Sequence, residues 1–276
     1  MGGLDPLMLR RGGAAAFVGA YDAFSASLAH VYEPARRTLA AYTGSLLRLR
    51  RASDDAESDF GYVANGDLDV AAITAWAGGN SYVVTVYDQT TNADCVTQAD
   101  KTKQPLFVAS AQNGHAGMSF DGSNDYLTGT FTTGGALSQP FNYFTVESLS
   151  AADMNNNLAF VYSGTTVVRC VLYKGATYYY YAGVDVNSSV ARAVTPRIWS
   201  ALFNGAASAL YMNGGLVANG NPGTANPVGL TVGAEYTSAS YFYEGQVNSH
   251  IICDPVLGDA DRILMQTAIN GYWGVY

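Results

Sequence analysis

With 276 residues, 49% of them hydrophobic, the chain is long enough to bury a sizeable core, and one main domain is expected. Charged residues make up only 13%, beside 30 glycines and 20 tyrosines, a balance that suits many strands joined by tight turns and excludes a chain of long solvated helices. A formal net charge of -8 excludes a nucleic-acid binder, which needs a basic patch to meet phosphates.

Residues 1–34 read as an N-terminal arm with a weak helix, because Gly2, Gly3, Gly12 and Gly13 interrupt any period and Pro6 breaks a helix. Such an arm is expected to dock on a neighbouring subunit. The segment Asp22 to His30 is weakly helical, and Ala35 to Tyr42 is expected as a short helix that Pro34 starts and Gly44 ends. The period then changes to two. Leu47 and Leu49 alternate with Arg48 and Arg50, which predicts a half-buried strand. The basic cluster of Arg36, Arg37, Arg48, Arg50 and Arg51 reads as a solvated strand face with local ion pairs to Asp54, Asp55 and Glu57.

Asp67 is the expected cap of a helix carrying Leu68, Ala71, Ala72, Ala75 and Trp76 on one side, and Gly78-Gly79 stops it. Strands follow at Tyr82 to Tyr87, Gly117 to Phe120, Tyr143 to Ser148, Leu158 to Tyr162, Val167 to Tyr173, Thr177 to Ala182 and Trp199 to Phe203. The strands on either side of Asn213-Gly214 form a hairpin, since this dipeptide supplies the positive φ angles of a two-residue turn. Later strands fall at Gly229 to Gly233, Tyr241 to Glu244 and Gln246 to Ile252. Asp259 caps a last helix whose inward residues are expected to be Ile263, Leu264, Thr267 and Ala268.

Cys95, Cys170 and Cys253 are odd in number and widely spaced, which suits reduced, buried thiols rather than a disulfide framework. No secretory leader or membrane-spanning run is expected. His30, His115 and His250 have no carboxylate or serine at motif spacing and read as structural. Asp121, Asn124 and Asp125 place three oxygens in one turn. Asx-turn chemistry explains them, with calcium as the alternative, although calcium wants six or more ligands; no cofactor is otherwise expected.

Three stretches, Gly117 to Leu127, the Leu210 to Gly214 hairpin and Asp259 to Arg262, resemble the LamG-like jelly rolls of the concanavalin A-like superfamily. The resemblance implies a mainly β, antiparallel concanavalin A-like sandwich over residues 35–276. Tyr42 to Asp55, Val86 to Thr90, Val96 to Gln98 and Phe242-Tyr-Glu-Gly245 are similar to the alpha-L-arabinofuranosidase B catalytic domain. The opening stretch also resembles LamG-like bacteriophage virion proteins.

That hydrolase resemblance sets Glu235 at the acid/base position, as part of Gly233-Ala234-Glu235, and Cys170 at the nucleophile position. A retaining glycosidase needs two carboxyl groups about 5–5.5 Å apart, and a thiol does not supply the second. Glu147 is the nearest upstream carboxylate, on an earlier strand. The leading expectation is therefore a non-catalytic bacteriophage virion protein, a capsid decoration, fibre or tail-associated component made in the host cytoplasm. Its arm would meet other virion proteins, it would be a homo-oligomer without membrane insertion, and its lectin-like face would meet host-surface glycans. The alternatives are a retaining glycoside hydrolase with Glu235 catalytic, and a stand-alone lectin. Tyr179, Tyr181, Tyr236, Tyr241 and Glu235 are the candidate carbohydrate-binding residues, because outward tyrosines can stack on the C–H faces of sugars.

Overall fold

A computed structural model describes residues 16–133, 135–150, 158–162, 171–174, 177–235 and 241–276, with backbone alone for 158–162 and 171–174. After a 3-10 turn at Asp22–Ser27, the strands in chain order begin with β1 (Leu28–Tyr32), β2 (Leu47–Arg51) and β3 (Glu57–Phe60), followed by helix α1 (Val70–Ala77). Next come β4 (Ser81–Val86), β5 (Val96–Thr97), β6 (Leu106–Gln112), β7 (His115–Asp121), β8 (Leu127–Thr130) and β9 (Phe141–Leu149). Then follow β10 (Leu158–Tyr162), β11 (Val171–Lys174), β12 (Thr177–Tyr181), β13 (Asp185–Ala191) and β14 (Arg197–Phe203). The chain ends with β15 (Ala209–Met212), β16 (Gly215–Asn219), β17 (Gly229–Val232), β18 (Glu244–Cys253) and helix α2 (Asp259–Trp273).

All pairings are antiparallel and build a mainly β sandwich. One layer runs β1, β18, β9, β14, β15, β16. The other runs β3, β2, β4, β5, β8, β17, β10, β11, β12, β13. The β6–β7 hairpin joins them, pairing with β4 on one side and β18 on the other. Period-two alternation fills the space between the layers. Leu47, Leu49 and Val83 from one layer meet Tyr143, Trp199 and Val247 from the other. A second apolar cluster lies on the opposite face of β9 and β18, where Phe144, Val146 and Ile251 pack with Met265, Ile269 and Trp273 of α2.

The alternation read from β2 is present at Leu47, Arg48 and Leu49, but Arg50 is buried rather than on a solvated face; Arg48, Arg50 and Arg51 bond Asp59, Asp55 and Asp54 at 2.8, 2.7 and 2.7 Å. The Asn213-Gly214 turn has φ of 49° and 86°, the type I′ signature. Other expectations are corrected. No helix spans Ala35 to Tyr42. Arg36 instead bridges to Asp67, and the Thr38 amide donates to Gln89 Oε1 at 2.8 Å. The cap of α1 is Asp69, not Asp67, its carboxylate accepting from the Ala72 amide at 2.9 Å. Tyr241 to Tyr243 is not strand, and Tyr241 has φ of 59°.

Helix α2 has Gly258 as its N-cap, with no side-chain cap from Asp259, and it is rotated from the expected face. Arg262, Met265, Gln266, Ile269 and Trp273 are buried, while Ile263 and Leu264 are 52% and 57% exposed. Among the described residues no helix is long and apolar enough to cross a membrane.

Candidate active site

Glu147 sits on β9 with its side chain between the layers and no exposure to solvent. Strand register sets Arg197 of β14 on one side of it and Val247 of β18 on the other. Its Oε1 accepts from Tyr178 Oη and from Trp199 Nε1, each at 3.1 Å, and its Oε2 accepts from Tyr243 Oη at 2.5 Å. These donors come from β12, β14 and the residue preceding β18, so the carboxylate ties three segments together. Burial and the Glu147 charge push the Tyr178 phenol well above its usual range. The Arg197 guanidinium lies 4.8 Å from the Tyr178 ring centre and donates through Nη2 to the Ala191 carbonyl at 3.0 Å. Its buried Nη1 has no hydrogen-bond partner among the described residues.

Tyr243 also connects this carboxylate to a second one. While its hydroxyl holds Glu147, its backbone N–H donates to the Gly233 carbonyl at 2.8 Å, two residues before Glu235. Glu235 follows β17 and is half-buried, so it keeps a path to solvent that Glu147 lacks. Gly233 has φ of +88°, and a Cβ there would lie 2.3 Å from the Phe120 ring, itself a fully buried core group. We expect Gly233→Ala to destabilise the fold by about 1–3 kcal/mol through overpacking, with about 1 kcal/mol more from backbone strain. Urea unfolding measures this; a loss below about 0.5 kcal/mol would show that the Glu235 segment is not pinned at this point.

The tyrosine-rich strand divides as its period requires. Tyr178 and Tyr180 are buried inward, and Tyr179 and Tyr181 are half-buried on the other face of β12. Tyr179 Oη accepts from Asn187 Nδ2 at 3.1 Å. Those two outward tyrosines therefore do not share a face with Glu147, and Tyr241 is 49% exposed near the start of β18. Tyr236 and Cys170 lie outside the described residues.

The Asp121 turn shows Asx chemistry. Asp121 Oδ1 accepts the Ser123 and Asn124 amides at 2.8 and 3.2 Å, and Asp125 Oδ2 accepts the Asp121 amide at 3.2 Å. No group of three His, Cys, Asp or Glu side chains among the described residues could hold a metal.

The histidines have tertiary partners that sequence spacing does not reveal. His30 Nδ1 meets Asp88 Oδ2 at 2.8 Å, both buried, and its ring stacks on Phe131 at 4.0 Å. His250 Nδ1 lies 2.5 Å from Tyr143 Oη, and burial pushes its pKa down to about 3, so it stays neutral. His115 stacks on Tyr272 at 3.6 Å. Trp199, Arg197 and Tyr243 were not singled out as site residues from the sequence. The one available signal was Tyr243's place inside the Phe242-Tyr-Glu-Gly245 stretch.

Comparison with known proteins bears on both fold and function. An arabinofuranosidase complexed with arabinofuranosyl-alpha-1,2-xylobiose superposes with a TM-score of 0.73 at 15% identity, covering 91% of this chain and 64% of that one. An α-L-arabinofuranosidase soaked with a cyclic sulfate inhibitor gives a TM-score of 0.71 with the same identity and coverage. The binding domain of Paraclostridial Mosquitocidal Protein 1 matches more loosely, with a TM-score of 0.52 at 10% identity over 83% of this chain and 52% of that one. The chain thus spans less than two thirds of the length of the arabinofuranosidases whose fold it shares. A search of curated proteins finds no match.

The family model described as alpha-L-arabinofuranosidase B, catalytic, matches residues 20–170. This overturns the leading expectation of a bacteriophage virion protein, because the matched model is that of a hydrolase catalytic domain and it covers the Tyr42 to Asp55 stretch that also resembles virion proteins. By that match, over more than half of its length, the chain belongs to the alpha-L-arabinofuranosidase B catalytic-domain family.

Proposed function

We propose that this chain is a glycoside hydrolase that removes α-L-arabinofuranosyl groups, with Glu235 and Glu147 as its working carboxyl groups. The observation that carries the reading is Tyr243, which binds the Glu147 carboxylate with its hydroxyl and the Glu235 segment with its backbone. The hydrolase family model supports the same chemistry.

Half-buried Glu235 has the access that a general acid needs to protonate a leaving glycosidic oxygen and then to draw a proton from water. Glu147 is closed to solvent and its oxygens are occupied by three donors, which suits it to electrostatic work. A buried anion in a water-poor interior acts more strongly on positive charge developing at the anomeric carbon than an exposed one would.

The test is release of nitrophenol from 4-nitrophenyl α-L-arabinofuranoside by the purified chain. Glu235→Gln is expected to lower kcat by about 10²–10⁴-fold, the usual contribution of an acid/base group, with little change in melting temperature. An added small anion such as azide should restore part of the lost rate in Glu235→Ala. A wild-type chain that binds the substrate without cleaving it, or a Glu235→Gln variant with full activity, would overturn the assignment.

A further inference from the structure

A second polar site lies on the outer face of the layer containing β2 and β4, away from the space that holds Glu147. There a groove of about 590 Å³ opens between Arg50, Asn80 and Tyr82 on one side and Asp121 and Asp125 on the other, with Lys101 at its edge. That volume is in the range of about 300–1,000 Å³ typical of small-ligand sites.

The groove's cations are already satisfied. The Arg50 guanidinium lies 4.7 Å from the Tyr82 ring centre and donates to Gln104 Oε1 at 2.7 Å, Asp55 Oδ1 at 2.7 Å and the Lys101 carbonyl at 3.1 Å. Lys101 Nζ in turn meets Asp55 Oδ2 at 2.5 Å. An anionic ligand would have to displace Asp55 from both. The acidic wall is equally committed, because Asp121 Oδ1 and Asp125 Oδ2 hold backbone amides of their own turn. A calcium ion would find too few free oxygens.

The charges of Arg50 and Lys101 are matched by those of Asp55 and Asp121. Burial first, and the Asp121 charge second, push Asp125 up to about 7, so near neutrality it both donates and accepts hydrogen bonds. Half-buried Tyr82 and Leu106 add apolar area to this ring of polar groups. Apolar area and paired charges, with the Asn80 amide and the Ser119 hydroxyl also lining the groove, match a polyol with C–H faces better than an ion, which would have to displace a committed partner.

We propose that this groove is an accessory binding site for a neutral oligosaccharide, on the face of β2 and β4 opposite to the one that faces Glu147. It does not rest on the hydrolase reading. Isothermal titration of the full chain with xylotriose, cellotriose and α-1,5-arabinotriose tests it, with trigalacturonate and calcium chloride as the charged probes. At least one neutral trisaccharide should bind saturably. Asn80→Trp and Thr102→Trp, which place bulk at the groove's mouth, should each raise its Kd at least tenfold.

Hydrolysis of 4-nitrophenyl α-L-arabinofuranoside should not change in either variant, so loss of the groove and loss of catalysis are read separately. Absence of binding by all three neutral sugars, a Kd unchanged within twofold in both variants, or tighter binding of trigalacturonate or calcium would each overturn the proposal.

Discussion

Glu147→Ala is expected to lower the free energy of unfolding by about 3–5 kcal/mol, the usual cost of removing one partner from a buried charged network. Alanine would leave the hydroxyls of Tyr178 and Tyr243 and the indole N–H of Trp199 without their common acceptor, all inside a sealed interior. It would also leave a cavity between the layers. Glu147→Gln keeps the volume but turns one acceptor into an NH₂ group that faces donors, so it too should destabilise, by about 1–3 kcal/mol. Tyr243→Phe removes the bond to Glu147 Oε2 and should cost about 1–2 kcal/mol, with Tyr178 and Trp199 still donating to Oε1. Urea unfolding of the three variants gives the ranking. If alanine cost less than about 1 kcal/mol, the Glu147 network would not be holding the layers together, and its proposed part in catalysis would lose its rigid base.

That network explains why the fold was more legible in the sequence than the site. Alternation at Leu47 to Leu49, the Asn213-Gly214 turn and the inward and outward halves of the tyrosine strand are local patterns, and each is present. Glu147 could be named as a carboxylate, but its partners lie 31, 52 and 96 residues further along the chain, beyond any spacing rule. The Ala35 to Tyr42 segment failed as a helix for the same reason. Gln89, 51 residues away from Thr38, takes the backbone donor that a helix would have used.

The inward face of α2 differs from the expected one because it includes Arg262. Its side chain is buried, with the guanidinium 3.7 Å from the Tyr211 ring centre and bonded to Asp259 at 3.1 Å, and this turns Ile263 and Leu264 outward. The functional misreading had a different root. It rested on Cys170 standing at the nucleophile position, a placement that lies outside the described residues, whereas the family match covers most of the N-terminal half of the chain and the structure reveals Glu147 and Tyr243 together.

The second large effect concerns Glu33, at the end of β1, and it appears in stability against pH. Its carboxyl is fully buried, with Oε2 bonded to Ser249 Oγ at 2.9 Å and to Tyr21 Oη at 3.4 Å, while Oε1 has no partner among the described residues. Burial pushes its pKa from 4.5 to about 7, although the Arg36 charge and the hydrogen bonds pull the other way. The folded state therefore holds this proton where the unfolded chain releases it. A raised carboxyl pKa gives stability that is complete below about pH 4.5 and is lost as pH rises to about 7.

The shift corresponds to about 3 kcal/mol between those limits. Glu33→Gln cannot titrate, so the difference in unfolding free energy between wild type and variant should move by about 3 kcal/mol in the variant's favour from pH 4.5 to pH 7.5. Taking the difference cancels the other titrating groups near the site, including Tyr272 and His115, to the extent that their own pKa values are unchanged. Urea unfolding at half-unit pH steps measures it. A difference that stays flat across the window would show that Glu33 is as acidic in the fold as in the open chain, and that Arg36, which touches Tyr21 and Tyr272 on the same face, fully offsets its burial.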